Sequence, residues 1–288
     1  MNGKQVKRYL KNRAFVSLLL FAAYCLLSTD VDALDVKRTV LPSGLVVLQS
    51  EKHTLPIVMV TLYVKGGSLN EPKEKAGLAN LAAELLTEGT KYRKSTNISE
   101  EIEFIGASLD ASAGTDYTAI TLSVLKKDIN KGFELFSDIL LNPVFPEEEV
   151  KRKKELIKGS LRQSEEDPSF LAERAFKKEV FGEHPYGRPV EGSAETIENI
   201  KREDIVRFYS DYFLPNNSIL AVVGDLTVEE LNSLISGYLS GWKKADLLSK
   251  IPYKIDGKEG RKVIKIDRDL TQANIIFGHI GISRDNPD

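Results

Sequence analysis

The feature that most constrains the fold is an alternation, from Leu34 onward, between short β-branched runs and longer amphipathic stretches. β-branched residues favour strands, whereas apolar residues that recur every three or four positions favour helices with one buried face. The runs GLVVLQSE and IVMVTLYVKGG are separated only by KHTLP, which predicts a hairpin-like pair of strands. The chain is therefore expected to alternate strands with helices after its N-terminal segment.

The later segments continue this alternation. NISEEIEFIGASLD predicts a helix with Ser99 as its N-cap and an end near Gly106. LDASAGTDYTAITLSVL alternates well enough for one or two strands, and NSILAVVGDL predicts a buried strand. A long charged helix is expected over residues 147–166, where Asp167 and Pro168 break it.

One predicted helix, AGLANLAAELLTEGT at residues 76–90, carries polar residues in an unusual place. Asn80 and Glu84 lie one turn apart with Ala83 between them, opposite an apolar stripe. Two side chains at this spacing have the geometry of a metal-binding histidine pair. The pattern leaves two interpretations open, an ordinary helix surface or a catalytic helix that has lost its ligands. The stripe is expected to be buried and consists of Leu78, Leu81, Ala82, Leu85 and Leu86.

The N-terminus has the pattern of a secretory signal peptide over residues 1–33. A basic stretch precedes the apolar run AFVSLLLFAAYCLL, and VDA ends at Ala33, where cleavage is expected. The apolar run is shorter than the about 20 residues of a membrane span, so no stable span is expected after cleavage. A mitochondrial presequence would be amphipathic rather than uniformly apolar. The mature chain is thus expected to be exported, periplasmic or secreted, and to lack Cys25.

Composition fits a soluble globular protein of one large or two smaller domains. Of the 288 residues, 42% are hydrophobic and 28% are charged, and the net charge is −2 at pH 7. This balance favours neither nucleic acid nor an anionic membrane surface as a partner. The sequence has no P-loop and no G-x-S-x-G motif. Its histidines, His53, His184 and His279, are far apart, and a three-histidine zinc site is disfavoured.

An internal similarity indicates the start of a second unit. VIKIDRDLTQANIIFGHIGISRDNPD, residues 263–288, resembles VVLQSEKHTLPIVMVTLYVKGGSLNEP, residues 46–72, in its order of strand, polar turn and strand. Chance similarity of two hairpins is the alternative. With a true repeat, residues 34–248 form one complete domain and residues 249–288 open a second, truncated one.

Several separate segments resemble, in order and spacing, the insulinase–pitrilysin–mitochondrial processing peptidase family of zinc metallopeptidases. They are LPSGLVVLQSE, VKGGSLNEP with GLANLAAELLTEGT, LNPVFPEEEVKRKKELI, EEDP, HPYGRPVEG and YFLPNNSILAVVGDL. The resemblance runs from about Val36 to the end of the sequence. It implies an α+β fold in which an antiparallel-rich sheet is packed by helices, with repeated halves that face each other. The segment from Val263 is then the opening hairpin of the second half.

The resemblance also implies that a zinc site has been lost. Active members carry H-x-x-E-H on the helix that corresponds to NLAAE, with a further glutamate ligand on the long charged helix. In this chain Asn80 and Glu84 replace the histidines, and Ala83 replaces the general base. The third ligand falls at or beside Ser160, where there is no carboxylate. No cofactor is expected, although the family uses zinc, and Glu84 with Glu88 is expected to be a solvated face rather than a cation site.

These substitutions predict a non-catalytic homologue. Because family members often pair a zinc-binding with a zinc-free subunit, the resemblance implies a zinc-binding paralogous peptidase subunit as partner. The strand DASAGTDYTAI resembles the family's edge strand, against which substrate peptides pair. The alternatives are a stand-alone peptide-binding or scaffold protein and an active zinc metalloendopeptidase. The candidate peptide-binding residues are Ala111, Ser112, Ala113, Gly114 and Thr115.

Overall fold

A single mixed sheet organises the part of the chain that the computed structural model describes, which is residues 35–249, 253, 255, 260–269, 271–283 and 286. Its six strands have the order β1-β2-β6-β3-β5-β4. The strands are β1 (Lys37–Val40), β2 (Val46–Glu51), β3 (Ile57–Val64), β4 (Ser108–Ala113), β5 (Thr118–Leu125) and β6 (Ser218–Gly224). The segment interpreted as a signal peptide, residues 1–33, lies outside the described residues.

The helices and strands come in runs rather than in a regular alternation, in the order three strands, two helices, two strands, five helices, one strand and one helix. The helices are α1 (Leu78–Glu84), α2 (Ser95–Phe104), α3 (Ile129–Leu141), α4 (Glu147–Ser164), α5 (Pro168–Phe181), α6 (Ala194–Asn199), α7 (Arg202–Tyr212) and α8 (Val228–Tyr238). Among the described residues, these helices include none that is both long and apolar enough to cross a membrane.

The pairing of β2 with β3 is wrong in the prediction. Strand β6 lies between them, parallel to β2 and antiparallel to β3, so that Leu48 faces Ala221 and Met59 faces Val223. The connection KHTLP crosses over two strand spacings of about 4.8 Å each instead of forming a tight hairpin turn. The other pairs, β1–β2, β3–β5 and β4–β5, are antiparallel, which confirms the antiparallel-rich sheet.

The two faces of the sheet differ in what covers them. Strand β3 alternates between fully buried side chains and exposed ones such as Met59 and Tyr63, because successive residues point to opposite faces. On the buried face, α1 packs against β4 and β5, and α3 packs against β5 and α8. The helices thereby enclose the core between themselves and one side of the sheet. The buried residues of β3 are Val58, Val60, Leu62 and Val64.

Helix α2 begins earlier than the sequence predicts. Its first residue is Ser95, and Ser99 lies inside it rather than at its N-cap. The additional turn lets Ile98 and Ile102, four residues apart, bury the same face against the core. The end is as predicted, since the helix stops at Phe104 and Gly106 adopts a left-handed conformation with φ of 61°.

The hairpin predicted from Val263 onward is not formed in the described residues of that segment, which include no strand. Strands require a neighbour for their backbone groups and a surface for their apolar side chains. Here Ile275 and Phe277 are 82% and 91% exposed, and no strand of the described sheet pairs with them. The strand-forming pattern is present in the sequence, but the described residues of this segment do not adopt it.

Candidate functional site

Helix α1 begins at a glycine because the chain approaches itself closely there. Gly77 has φ of 98°, and a Cβ atom at this position would lie 2.6 Å from the Ile197 side chain and 2.7 Å from the Glu191 carbonyl oxygen. Only glycine combines this conformation with this contact. The sequence GLANLAAE therefore starts its helix against the segment that precedes α6.

A buried carboxylate holds the first turn of α1. Glu71 is 2% exposed, and its two oxygens accept hydrogen bonds from the Gly77 N–H at 2.9 Å and the Ala79 N–H at 3.0 Å. Burial raises the pKa of Glu71 to about 7, although the helix N–H groups and the charge of Arg188 act in the opposite direction. The desolvation cost of the charged form thus outweighs the stabilisation that the helix start gives it.

The burial of α1 confirms the predicted stripe but not the predicted polar side. All the apolar residues of the stripe are at most 5% exposed. Asn80 is only 8% exposed, however, and Ala83 is completely buried. Helix α4 packs beside α1, so only the end of the helix near Glu84 is half-open to solvent. The side of α1 that carries Asn80 and Ala83 is therefore largely inaccessible to solvent.

The polar residues of this surface form a continuous hydrogen-bonded and ionic chain. The Asn80 Nδ2 amide donates to Glu84 Oε1 at 2.9 Å. The Lys153 Nζ ammonium, from α4, lies 3.6 Å from Glu84 Oε2 and 3.0 Å from Glu88 Oε1. The Arg152 guanidinium lies 2.6 Å from Glu88 Oε2. The predicted solvated face of Glu84 and Glu88 is therefore an ion-pair cluster between two helices.

The electrostatics of Glu88 show how strongly this cluster holds its charge. Burial alone raises the pKa of Glu88, but the hydrogen bonds and charges of Lys153 and Arg152 outweigh it and keep that pKa below the usual value. Glu88 thus stays ionised at neutral pH with two cationic partners.

These residues do not fit zinc. Zinc sites in peptidases use three ligands from histidine, cysteine or carboxylate together with a water. Here the Asn80 amide nitrogen is a hydrogen-bond donor, a lysine ammonium faces Glu84, and Ala83 has no group that can accept a proton. Within the described residues, no cluster of three or more histidine, cysteine, aspartate or glutamate side chains could hold a metal ion.

Ser160 is the fourth position of the implied site. It lies on α4, seven residues after Lys153 and therefore on the same face, about 10.5 Å further along the helix axis. Its side chain is exposed. A hydroxyl there does not replace the carboxylate ligand that active members carry.

The histidines have separate local partners. His53 Nδ1 lies 2.6 Å from Asp225 Oδ1 in an exposed pair. His184 Nδ1 accepts a hydrogen bond from the Tyr186 N–H at 3.1 Å, and His279 Nδ1 lies 2.8 Å from its neighbour's carbonyl oxygen, that of Ile280.

Strand β4 is an edge of the sheet, because only β5 pairs with it. Gly114 donates its N–H to the Tyr117 carbonyl at 2.7 Å, and hydrogen-bonded positions alternate along an antiparallel pair. The backbone groups of Leu109, Ala111 and Ala113 consequently point away from β5, toward the open side. The intervening Ser112 uses its backbone groups within the sheet.

The remaining two candidate peptide-binding residues lie in the turn after β4. The Gly114 carbonyl accepts from the Ser68 N–H at 3.0 Å, and the Thr115 carbonyl accepts from the Leu69 N–H at 2.9 Å. Their carbonyls are thus engaged within the fold. Among the candidates, Ala111 and Ala113 have the geometry to pair with a further strand.

Comparison with known proteins agrees with this fold. The profile of the insulinase family (peptidase family M16) matches residues 46–194, and that of the peptidase M16 inactive domain matches residues 199–288. The chain belongs to the insulinase family.

Relatives in this family carry different names. An uncharacterized zinc protease of Rickettsia bellii is 28% identical over 243 residues, which are 84% of this chain and 58% of that protein. The non-peptidase homolog YmxG of Helicobacter pylori is 27% identical, over 81% of this chain and 53% of that protein. A probable mitochondrial-processing peptidase subunit beta of Arabidopsis thaliana is 26% identical, over 90% and 49%. The chain thus spans about half the length of these relatives.

Solved structures show the same architecture. A peptidase M16 inactive domain from Pseudomonas fluorescens superposes with a TM-score of 0.71 at 25% identity, covering 76% of this chain and 53% of that chain. The periplasmic protease PqqL from Escherichia coli gives 0.71 at 20% identity, covering 78% and 26%, which shows the fold alone. The α+β fold expected from the sequence is confirmed.

The burial of Glu71 predicts a specific pH dependence of stability. Its pKa rises from 4.5 to about 7 on folding, so between these values the folded chain holds a proton that the unfolded chain has released. The free energy of unfolding therefore falls as pH rises from about 4.5 to 7, by on the order of 3 kcal/mol from this group. Urea unfolding from pH 4.5 to 8 should show this slope in the wild type and its loss in Glu71→Gln. The exposed Glu74→Gln is the control, and an identical slope in all three proteins would contradict the assignment.

The expectation that Asn80, Ala83, Glu84 and Ser160 replace the zinc-site residues of active members predicts how zinc binding can be introduced. Asn80→His, Ala83→Glu and Glu84→His together supply two ligands, so calorimetry should detect no appreciable zinc binding. Adding Ser160→Glu completes a His-His-Glu set and should raise zinc affinity well above that of the triple variant. The residues that support the new ligands would remain unoptimised, which can cost about 10–100-fold in zinc affinity or activity. Weak or no peptidase activity is therefore expected. Ser160→Gln in the same background is the control. Tight binding by the triple variant, or no gain from the added glutamate, would place the former site elsewhere.

Proposed function

We propose that this chain is a non-catalytic insulinase-family homologue, the zinc-free partner subunit of an exported zinc peptidase, which helps to bind substrate peptides. The observation that carries the proposal is the Asn80–Glu84–Lys153 chain of contacts, in which Asn80 and Glu84 stand where the family resemblance puts the zinc-binding histidines. An amide donor and a lysine ammonium engage the Glu84 carboxylate, and neither of these two groups can bind zinc. Without zinc and its bound water, helix α1 lacks the electrophile and the nucleophile of a metallopeptidase.

One relative supports the absence of catalysis by this chain alone. A homologue of similar identity from Helicobacter pylori bears the name of a non-peptidase, whereas the relative from Rickettsia bellii is named a zinc protease. The family nevertheless includes subunits of a processing peptidase and a periplasmic protease built from similar halves. A degenerate half beside an active one is consistent with the paired organisation of the family, and we assign the active role to a zinc-binding paralogous subunit.

Peptide binding by this chain follows from the open edge of β4. An extended peptide can add as a further strand through backbone hydrogen bonds, which require no particular side chain. The outward groups of Leu109, Ala111 and Ala113 supply alternate donors and acceptors for such a strand. Two of these residues are alanines, so an approaching backbone meets little steric hindrance. This function is independent of zinc.

The proposed pairing predicts that Ala111→Pro impairs peptide binding without unfolding the protein. Proline removes the outward N–H of residue 111 and places its ring on the open edge, where sheets tolerate it. A fluorescein-labelled ten-residue peptide of threonine and valine should bind the wild type and Ala111→Val alike in an anisotropy titration. We expect Ala111→Pro to bind it at least about tenfold more weakly, with an unfolding midpoint within a few degrees of wild type. Equal affinity of the three proteins would exclude pairing at this position.

The partner role is tested on the exported protein. N-terminal sequencing of chain recovered from outside the cytoplasm should begin at Leu34, and the pure chain should neither retain zinc after dialysis nor cleave peptides.

Mixed with a paralogous subunit that carries intact H-x-x-E-H, the chain should form a stable complex. This complex should cleave peptides faster than that subunit alone, and the cleavage should be sensitive to chelators. Chelator-sensitive cleavage by the pure chain would refute the non-catalytic assignment. Peptide binding without complex formation would instead favour a stand-alone binding protein.

A further inference from the structure

A cleft lies next to the open edge of the sheet. It has a volume of about 560 Å³ and is enclosed by α5, by the segment around the single turn Pro185–Gly187, and by the turn that follows β4. Its apolar walls come from Phe170, Phe181, Pro189 and Val190, and charged residues line it as well, namely Asp116, Glu173, Arg174, Lys177, Arg188 and Glu191. A cleft that combines apolar walls with polar groups is typical of sites for small ligands or side chains.

Most charged groups at this cleft already have partners. Arg174 Nη1 lies 3.0 Å from Glu165 Oε1, and Lys177 Nζ lies 2.7 Å from Glu173 Oε1. The Tyr186 hydroxyl donates to Asp116 Oδ1 at 2.7 Å. The two ion pairs compensate the cations Arg174 and Lys177, so Arg188 is the remaining cation among the residues that line the cleft.

Arg188 is different. Its Nη1 atom is buried and has no hydrogen-bond partner in the part of the chain that the structure describes, although Arg188 lines the cleft. Two carboxylates are within electrostatic range of Arg188. Glu71 gives both oxygens to the N–H groups that start α1, and the exposed Glu183 is paired with Lys73. A buried donor without an acceptor is costly, and a charged one more so.

We infer that this cleft binds a carboxylate group of a peptide, which pairs with the Arg188 guanidinium while an adjacent apolar side chain contacts Phe170 and Phe181. Guanidinium groups bind carboxylates through two parallel hydrogen bonds. A rotation of the Arg188 side chain that turns Nη1 toward the cleft allows it to bind a carboxylate in this way. The ligand thus satisfies a donor that the fold leaves unpaired. The carboxylate comes from the peptide C-terminus or from an acidic side chain.

The position of the cleft connects it with the proposed peptide edge. Thr115 and Asp116, in the turn directly after β4, line the cleft. A peptide that pairs along the outward groups of β4 would therefore reach it within a few residues. To this extent the inference rests on the proposed peptide-binding function, and it adds a preference for a carboxylate at one end of the bound segment.

A probe that is too short to form a strand distinguishes carboxylate binding at the cleft from peptide pairing along β4. N-acetyl-phenylalanine carries one carboxylate beside an apolar ring, and its amide lacks only the charge. In ligand-observed NMR titrations of the full chain, we expect the acid to bind about tenfold or more tightly than the amide. Arg188→Met should abolish that difference, whereas Lys177→Met, which removes the same charge from the cleft rim, should retain it. Ala111→Pro should also retain it, because this variant changes only strand pairing.

Two labelled peptides then distinguish the source of the carboxylate. One has a free C-terminus and no acidic residue, and the other is amidated and ends in glutamate. For the peptide that supplies the carboxylate, removing that carboxylate should cost about tenfold in affinity for the wild type. The same removal should cost nothing in Arg188→Met. If Arg188→Met does not fold, Arg188→Lys, which keeps the charge but not the fork, should show a reduced preference for the acid. Equal binding of N-acetyl-phenylalanine and its amide by the wild type would overturn the inference, and loss of peptide pairing alone would overturn only the proposed function.

Discussion

The buried carboxylate of Glu71 is the interaction on which the candidate site depends. Helix α1 has only two turns and lies among the sheet, α4 and α7, so its free N–H groups cannot reach solvent. Glu71 accepts two of them from a position that is itself almost completely buried. This contact fixes the direction of α1 and hence the positions of Asn80 and Glu84. The rest of the site is built on a helix that one side chain secures.

Elements that depend on local periodicity could be predicted from the sequence. The alternation in β3, the stripe of α1 and the long charged helix α4 are all present, since each reflects a repeat of two or 3.6 residues. The neighbour of β2 could not be predicted, because β6 comes about 170 residues later and local pattern contains no information on such pairing. The predicted N-cap at Ser99 is wrong for a related reason. The helix begins earlier, at Ser95, and thereby buries Ile98.

The residues of the candidate site also fall into those that could be predicted from the sequence and those that could not. Resemblance located Asn80, Ala83, Glu84 and Ser160 on helices α1 and α4, where the structure also has them. It did not indicate Glu71, Lys153 or Arg188, whose importance arises from contacts between segments distant in sequence. A lysine in a highly charged helix and an arginine in HPYGRP have no local signal that separates them from solvated neighbours. Only their burial and their partners identify them.

Lys153 has a further consequence, for how easily this surface could gain a metal. Its ammonium bridges Glu84 and Glu88, which would otherwise repel each other at the end of α1. A histidine at position 84 would remove one partner of Lys153, and a histidine at position 80 would remove the amide that donates to Glu84. Either change alone supplies at most one new ligand, whereas a zinc site of the peptidase type needs three. A metal centre at this surface therefore requires several substitutions at once, and the ion-pair cluster opposes each of the first ones.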